Sequence, residues 1–370
     1  MKTYPPQKKI GYLGGGQLAR MLIHSAQSMG LETYVLSEHN HDPAAQVSHN
    51  WQQGSTDKAS DLEGFLKSVD VATFESEFLD TDLLARVSSN LKTSLHPSPL
   101  VMGQLRDRLS QKQLFDQYKL PTSPWSPART LKDALQFIED EALPVVFKKR
   151  LFGYDGHGTF VVTDKSKLND FLNTTFQEDQ FIVEKFIPFE KELAVIIARS
   201  QDGSFTHLPF VETLQKDSRC DWVKGPISLK QSTSTIKRLK TFLKKINYVG
   251  VMGVEFFKNK KEILINEVAP RVHNSGHYSM TTSGPSQFDL HNACLLGLKL
   301  PKAIAIKKGF AMVNLIGSDK QVELKAVEGL HWYGKRENRP GRKMGHINVL
   351  GNSGDQALKK ALKLRKELQL

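Results

Sequence analysis

The chain has 370 residues, 39% hydrophobic and 24% charged, which suits a globular protein of two or three domains with sizeable cores. No apolar run reaches membrane-spanning length, Met1–Pro6 lacks a signal-peptide core, and two cysteines, Cys220 and Cys294, exclude a disulfide framework, so a reduced, cytoplasmic setting is expected. A net charge of +12 invites a nucleic-acid partner, but the lysines are dispersed, crowding only at 237–245 and in the last dozen residues, where their spacing predicts solvated helix faces; neither nucleic acid nor membrane is expected as a partner.

Ile10–Leu13 reads as a strand, Gly14-Gly15-Gly16 as a turn and Gln17–Met29 as an apolar-periodic helix. Thr33–Leu36 is a second strand, and Val69–Phe74 a later one that ends at Glu75 and Glu77. This alternation predicts a parallel sheet whose ligands bind at the carboxyl ends of the strands. Gly14-x-Gly16-x-x-Ala19 formally fits the dinucleotide fingerprint, with Glu38 at about the distance of a ribose-binding acid. A nicotinamide enzyme is one reading; a sugar phosphate on the helix amides, or a mere tight turn, are others. Pro97-Ser98-Pro99 marks a boundary, Arg106–Tyr118 reads as helix, and Leu120–Pro124 as its stop.

From Pro144 strands dominate: Val145–Lys148, Thr159–Val162, Phe181–Glu184 and Leu193–Ala198, then a helix over Thr235–Ile246. Gly153–Gly158 joins two of these strands as a glycine-rich flap, suited to folding backbone N–H groups over phosphate oxygens, with Lys148 as a nearby positive charge. It lacks the Gly-Lys-Ser/Thr of a Walker loop, and a flexible hairpin is the plainer alternative. Val249–Phe257 and Ile263–Ile265 flank the charged turn Lys258–Lys261, which predicts an antiparallel hairpin with Glu255 opposite Glu267 on one face. Facing carboxylates repel unless a proton or cation lies between them, and hard oxygen ligands suit magnesium; an ordinary solvent-facing hairpin is the other possibility. Asn266–His277 crowds polar groups just beyond the apolar strand, a pattern expected where something polar binds. After Leu300-Pro301 a smaller unit carries Val313–Ile316 and Arg339–His346.

In order and spacing, Lys148, the Gly153–Gly158 flap, Phe181–Glu184, Glu192 and Glu255/Asn266-Glu267 resemble the ATP-grasp superfamily. Within it, Gly14–Leu18, Gly153–Gly158, Asn266–His277 and Arg339–His346 resemble the N(5)-carboxyaminoimidazole ribonucleotide synthase family of purine biosynthesis, over nearly the whole chain from Ile10 to about Val349. The resemblance implies α/β and α+β architecture: an N-terminal parallel-sheet domain (1–98), a two-lobed ATP-grasp domain (99–298, flap lobe about 120–190) and a small C-terminal domain (299–370). It implies ATP and magnesium as cofactors, bicarbonate and aminoimidazole ribonucleotide as small-molecule substrates, and a homodimer.

Carried over by position, Arg108 and Lys148 would contact phosphates, with Gly153, Tyr154, Asp155, Gly156, His157, Gly158 and Thr159 as the covering flap. Backbone groups of Glu184, Lys185, Phe186 and Ile187 would hold the adenine edge and Glu192 the ribose hydroxyls, with Gln215 nearby. Glu255 and Glu267 would hold magnesium, supported by Asn266. The ribonucleotide would meet Gln17, Leu18, Glu75, Tyr154, Asp155, Arg271, His273, Asn274 and Ser275, with Lys335 and Arg342 on its phosphate. Arg271 is the expected clamp for bicarbonate or carboxyphosphate, and His273, Glu75 and Tyr154 are unranked handlers of the amine proton, whereas His277 and His346 read as structural. Three departures stand out: Ala19 where a glycine is usual, Ser37-Glu38-His39 in place of an acidic-proline segment, and a loose match over Glu212–Pro226 that weakens Gln215. Another ATP-grasp ligase, such as a formate-dependent glycinamide ribonucleotide transformylase, is the nearest rival.

Overall fold

The computed structural model describes residues 3–5, 7–153, 157–302, 304–319 and 324–368. Tyr154, Asp155 and Gly156 of the flap lie outside the described residues. The expected mixed architecture is borne out, as three sheets. The first is parallel, in the order Asn50–Gln53, Glu32–Ser37, Lys9–Leu13, Val71–Phe74, Ser94–Leu95. Its central strands are apolar runs buried on both faces, as a parallel sheet with crossover helices requires. The order reverses between Lys9–Leu13 and Val71–Phe74, so a crevice opens where Gly14 and Glu75 leave the sheet.

The second sheet is antiparallel, in the order Trp125–Ala128, Phe181–Lys185, Val145–Lys149, Thr159–Val162. A phenylalanine cluster holds it to its helices; the rings of Phe147 and Phe171 are 4.5 Å apart, close enough for favourable aromatic packing. The glycine-rich flap bridges two of its strands.

The third sheet has nine strands. Ile263–Ala269, Gly250–Lys258, Lys191–Arg199, Val211–Lys216 and Arg219–Gly225 come from the central region, and Gly309–Ile316, Lys343–Gly351 and Leu330–Trp332 extend the same ladder, with Phe205–His207 pairing off Lys191–Arg199. Trp222 pairs with Val313 at the junction, so the C-terminal segment continues the large lobe's sheet instead of forming a sheet of its own.

Two expectations are corrected. The helix read as Arg106–Tyr118 is present but starts at Arg108, running to Gln117, and a further helix, Pro99–Arg106, precedes it across an extended Asp107. The Asp107 carboxylate accepts from Leu109 N at 2.8 Å and grips Arg150 through two nitrogens, so it caps the second helix and ties it to the flap lobe. Second, the hairpin's return strand runs on to Ala269, so Asn266 and Glu267 are strand residues and do not lie past its end.

Candidate active site

A cavity of ≈ 860 Å³ lies where the three sheets meet. The switch-point crevice, the flap lobe and the Gly250–Lys258/Ile263–Ala269 hairpin all contribute to its wall. Of the residues singled out in the sequence, Gln17, Leu18, Arg108, Lys148, Gly153, His157, Thr159, Glu184, Lys185, Phe186, Ile187, Glu192, Gln215, Glu255, Asn266, Glu267, Arg271, His273, Asn274, Lys335 and Arg342 line it. Glu75, Gly158 and Ser275 are not among its lining residues.

Glu255 and Glu267 are register partners across the hairpin, and a bulge beside Glu255 disturbs the ladder there. Burial pushes the Glu255 carboxyl up to about 8, and the Glu267 carboxylate opposite adds to the shift. Burial opposes ionisation of Glu267 too, but Arg108 and Lys148 outweigh it and hold that group below its ordinary value. Arg108 Nη2 donates to Glu267 Oε2 at 3.0 Å, reaching it from the first residue of the helix that Asp107 caps. One carboxyl of the pair therefore keeps a proton and the other a guanidinium, which marks a site that a divalent cation would relieve. Two carboxylates with the Asn266 amide beside them fit magnesium, which completes its shell with water and substrate phosphates. Among the described residues no group of three acidic, histidine or cysteine side chains converges, as a fully protein-ligated metal would need.

Lys148, on Val145–Lys149, is buried; its ammonium donates to Asn266 Oδ1 at 2.8 Å and lies 3.1 Å from Glu184 Oε1. It thus crosses from the flap lobe to the Glu255/Glu267 hairpin. Glu192 faces the same space, its carboxyl raised by burial and restrained by the backbone N–H of Gln215. Gln215 sits at a bulge of its strand, and this brings it to Glu192.

At the crevice the glycine loop has a different partner from the one its motif suggests. Gly16 N donates to Glu75 Oε1 at 2.7 Å and Ala19 N to Glu75 Oε2 at 3.3 Å. The helix amides that would take a pyrophosphate hold the chain's own carboxylate, and a Cβ at Gly16 would collide with it. Burial raises the Glu75 carboxyl while those two amides restrain it. Glu75 is thus a cap on the helix, and the nicotinamide reading loses its phosphate site.

Glu77, two residues on, was not singled out. It grips Arg271 through Nε and Nη2, the latter at 2.9 Å, and Arg271 Nη1 donates to Val272 O at 3.1 Å. Burial works against the Glu77 charge, but Arg271 outweighs it and holds the carboxyl low. The guanidinium is fixed while still facing the cavity. A signal existed in the sequence: Glu75 and Glu77 alternate straight after a buried strand.

His273 is pushed down to about 4 by burial, with Arg271 and Lys343 adding to the shift, so the ring is neutral. Ser275 N points at His273 Nδ1 from 3.4 Å and the Ser275 hydroxyl lies 2.8 Å away, which assigns the proton to Nε2, 3.7 Å from Glu255 Oε1. Ser275 orients this ring from behind it. Gly253 is required beneath, because a Cβ there would run into His273 Cβ. His277 and His346 are buried and bonded to Gln287 and Tyr333, consistent with structural roles. On the C-terminal strand side, Lys335 Nζ donates to Lys343 O at 2.8 Å, and Arg342 Nη1 to Glu337 O at 3.2 Å.

Three family models match in chain order: a ribonucleotide synthetase preATP-grasp domain over 7–104, an ATP-grasp domain over 113–288 and a phosphoribosylaminoimidazole carboxylase C-terminal domain over 311–360. The chain is 35% identical to the N5-carboxyaminoimidazole ribonucleotide synthase of Synechococcus elongatus, over 93% of this chain and 90% of the relative. It belongs to the N5-carboxyaminoimidazole ribonucleotide synthase family. A synthetase of that family from Staphylococcus aureus, complexed with ADP, superposes with a TM-score of 0.88 at 28% identity, over 98% of both chains. An Aspergillus clavatus synthase in complex with ADP and 5-aminoimidazole ribonucleotide gives 0.86 at 28% identity, over 98% of this chain and 99% of the other. Family membership accounts for the order of the glycine loop, the flap and the Glu255/Glu267 hairpin along the chain.

Proposed function

We propose that the protein joins bicarbonate to the exocyclic amine of 5-aminoimidazole ribonucleotide at the expense of ATP, giving N5-carboxyaminoimidazole ribonucleotide, ADP and phosphate in purine biosynthesis. The observation that carries this reading is the facing Glu255/Glu267 pair, with Arg108 and Lys148 on one side and Arg271 and His273 on the other, in one cavity. The family's members support it: one is named for this synthesis and another was solved with ADP and the ribonucleotide.

ATP would enter between the flap lobe and the hairpin, its adenine edge against backbone groups of Glu184–Ile187, its ribose at Glu192 and its phosphates toward Arg108, Lys148 and the flap amides. Glu255 and Glu267 would hold magnesium, which when bound neutralises charge on the nucleotide's phosphates. A bicarbonate oxygen attacks the γ-phosphorus as the bond to ADP breaks, giving carboxyphosphate. Positioning and charge neutralisation dominate such a transfer, and Arg108 and Lys148 supply fixed cations for it. Arg271, clamped by Glu77, would hold the carboxyphosphate while the amine nitrogen attacks its carbon, the bond to phosphate breaks and the amine's proton passes to the departing phosphate. The neutral His273, with its proton on Nε2, is suited to donate to an oxygen of that intermediate. Tyr154, Asp155 and the flap glycines would close over the acceptor, Gln17, Leu18 and Asn274 would shape its pocket, Ser275 would act through His273, and Lys335 and Arg342 would take its 5′-phosphate. Magnesium, bicarbonate, a homodimeric assembly, a cytoplasmic setting and the division at 98/99 and 298/299 belong to the same proposal.

The test is ADP release with bicarbonate present and absent, and with aminoimidazole or glycinamide ribonucleotide as acceptor. Turnover should need bicarbonate and the aminoimidazole compound. Formate-dependent turnover on the glycinamide compound would instead make this a transformylase. Lys335→Ala should raise the acceptor KM about tenfold or more, as expected on losing one charge-assisted phosphate contact, and leave the KM for ATP alone. An unmoved acceptor KM removes Lys335 from the site.

A further inference from the structure

Behind the cavity wall lies a second lysine that the reading above does not use. Lys112, one helical turn after Arg108, is 2% exposed and is not among the cavity's lining residues. A buried ammonium is costly unless all its donors are met. Lys112 Nζ meets Thr122 Oγ1 at 2.5 Å, Ser123 Oγ at 3.0 Å and Glu184 Oε2 at 3.2 Å. Ser123 passes its own hydroxyl hydrogen to the same Glu184 oxygen at 2.5 Å. The other Glu184 oxygen faces Lys148 Nζ at 3.1 Å. One carboxylate is thus shared between two ammonium groups, one facing the cavity and one hidden behind it.

The sharing has an electrostatic consequence. Were Glu184 paired with Lys148 alone, the two would form a closed ion pair in a buried setting, and Lys148 would offer little net charge to a phosphate. With Lys112 taking the far oxygen, the three groups carry one net positive charge, and its outlet is Lys148. Burial works against the Glu184 charge, yet Lys112 first and Lys148 second overcome it and hold the carboxyl at about 2. Lys112 is the stronger of the two holds. Burial likewise lowers the Lys112 ammonium, to about 8, so it keeps its proton through Glu184.

The geometry points to Lys112 as a positioning residue for the phosphoryl-transfer step: it occupies Glu184 from behind so that Lys148 stays free to engage the nucleotide's phosphates. The inference rests on the ATP-dependent reading of the cavity. It assigns Thr122 and Ser123, in the segment entering the flap lobe, to fixing the Lys112 head.

The test pairs Lys112→Met with the double variant Lys112→Met/Glu184→Gln. Calorimetric binding of magnesium-ATP without acceptor is measured beside steady-state kinetics. For Lys112→Met, nucleotide affinity and the ATP KM should each worsen about tenfold or more, the scale of one lost buried charge contact, with the acceptor KM unmoved. Removing the Glu184 charge as well should bring both back to within about threefold of the parent, because Lys148 then has no carboxylate to neutralise it. A Lys112 that only packs the fold predicts a lower Tm with unchanged ATP constants, or a double variant no better than the single; either result overturns the proposal. If Lys112→Met alone does not fold, the double variant, in which Lys148 still donates to Asn266 Oδ1 and faces the cavity, decides: near-parent ATP affinity supports the proposal and a tenfold loss overturns it. Failure of the functional reading itself would show separately, as a parent protein that binds no magnesium-ATP.

Discussion

Glu267→Gln is expected to lower bicarbonate-dependent ADP release by about a thousandfold or more, the scale seen when fixed charge is removed from a transferring phosphoryl group. Its effect on the fold should be slight. Glu255 opposite already keeps a proton, so the amide meets a neutral carboxyl and leaves no unpaired charge there. Arg108 loses its 3.0 Å contact but retains Lys149 O as an acceptor at 3.0 Å. The melting temperature should therefore stay within about 2 °C of the parent, while the protection given by magnesium-ATP should disappear. A variant that keeps both turnover and protection would show that the pair holds no metal.

A second large effect is expected from pH. Burial holds His96 and His273 down at about 4 and His291 at about 3, and keeps His277 and His346 well below the ordinary histidine value. His291 shows why: Val251 N donates to its Nδ1 at 3.1 Å and its Nε2 lies 2.8 Å from Thr73 Oγ1, so a second ring proton has nowhere to go. Each of these rings is neutral in the folded state and would take up a proton in the unfolded chain once pH falls below about 6.5. The unfolded state then binds more protons, so stability declines as pH drops from about 6.5 toward 4, at about 1.4 kcal/mol per pH unit for each group. Glu255, raised to about 8, and Glu75, raised by burial, run the other way in this window. At least three uncompensated histidines remain, a slope of about 4 kcal/mol per pH unit against a typical total of 5–15. Urea midpoints taken between about pH 7 and pH 5 should fall steeply, and a flat series would mean these rings gain partners for a second proton.

Much of the site was legible in the sequence because it is local. The hairpin could be read from its β-rich runs and charged turn, but the register at the turn, Lys258 opposite Ile263, would set Glu255 opposite Asn266, and it is the bulge after Glu255 that makes Glu267 its partner. The break at Asp107 had a usable signal that went unread, since Ser98-Pro99 and Asp107 are both cap-type residues, and Ser98 and Asp107 do cap the two helices. Glu75 was read as a ligand of the acceptor because a carboxylate beyond a strand end is ambiguous. Only the arrival of Gly16 and Ala19, more than fifty residues away, makes it a cap. Lys112 could not be read at all: a lysine in a polar helix looks solvated until Ser123 and Glu184 close over it. The extension of the large sheet was hidden for the same reason, because the Trp222–Val313 pairing joins segments some ninety residues apart.

That shared ladder means the last fifth of the chain is no detachable appendage. Cutting it away would bare the N–H and C=O row of Arg219–Gly225, an invitation to stick edge to edge with another molecule. Grafting it from a relative would demand that the donor's first strand match this one residue for residue, or Lys335 and Arg342 would arrive at the pocket out of step with the carboxylates across it.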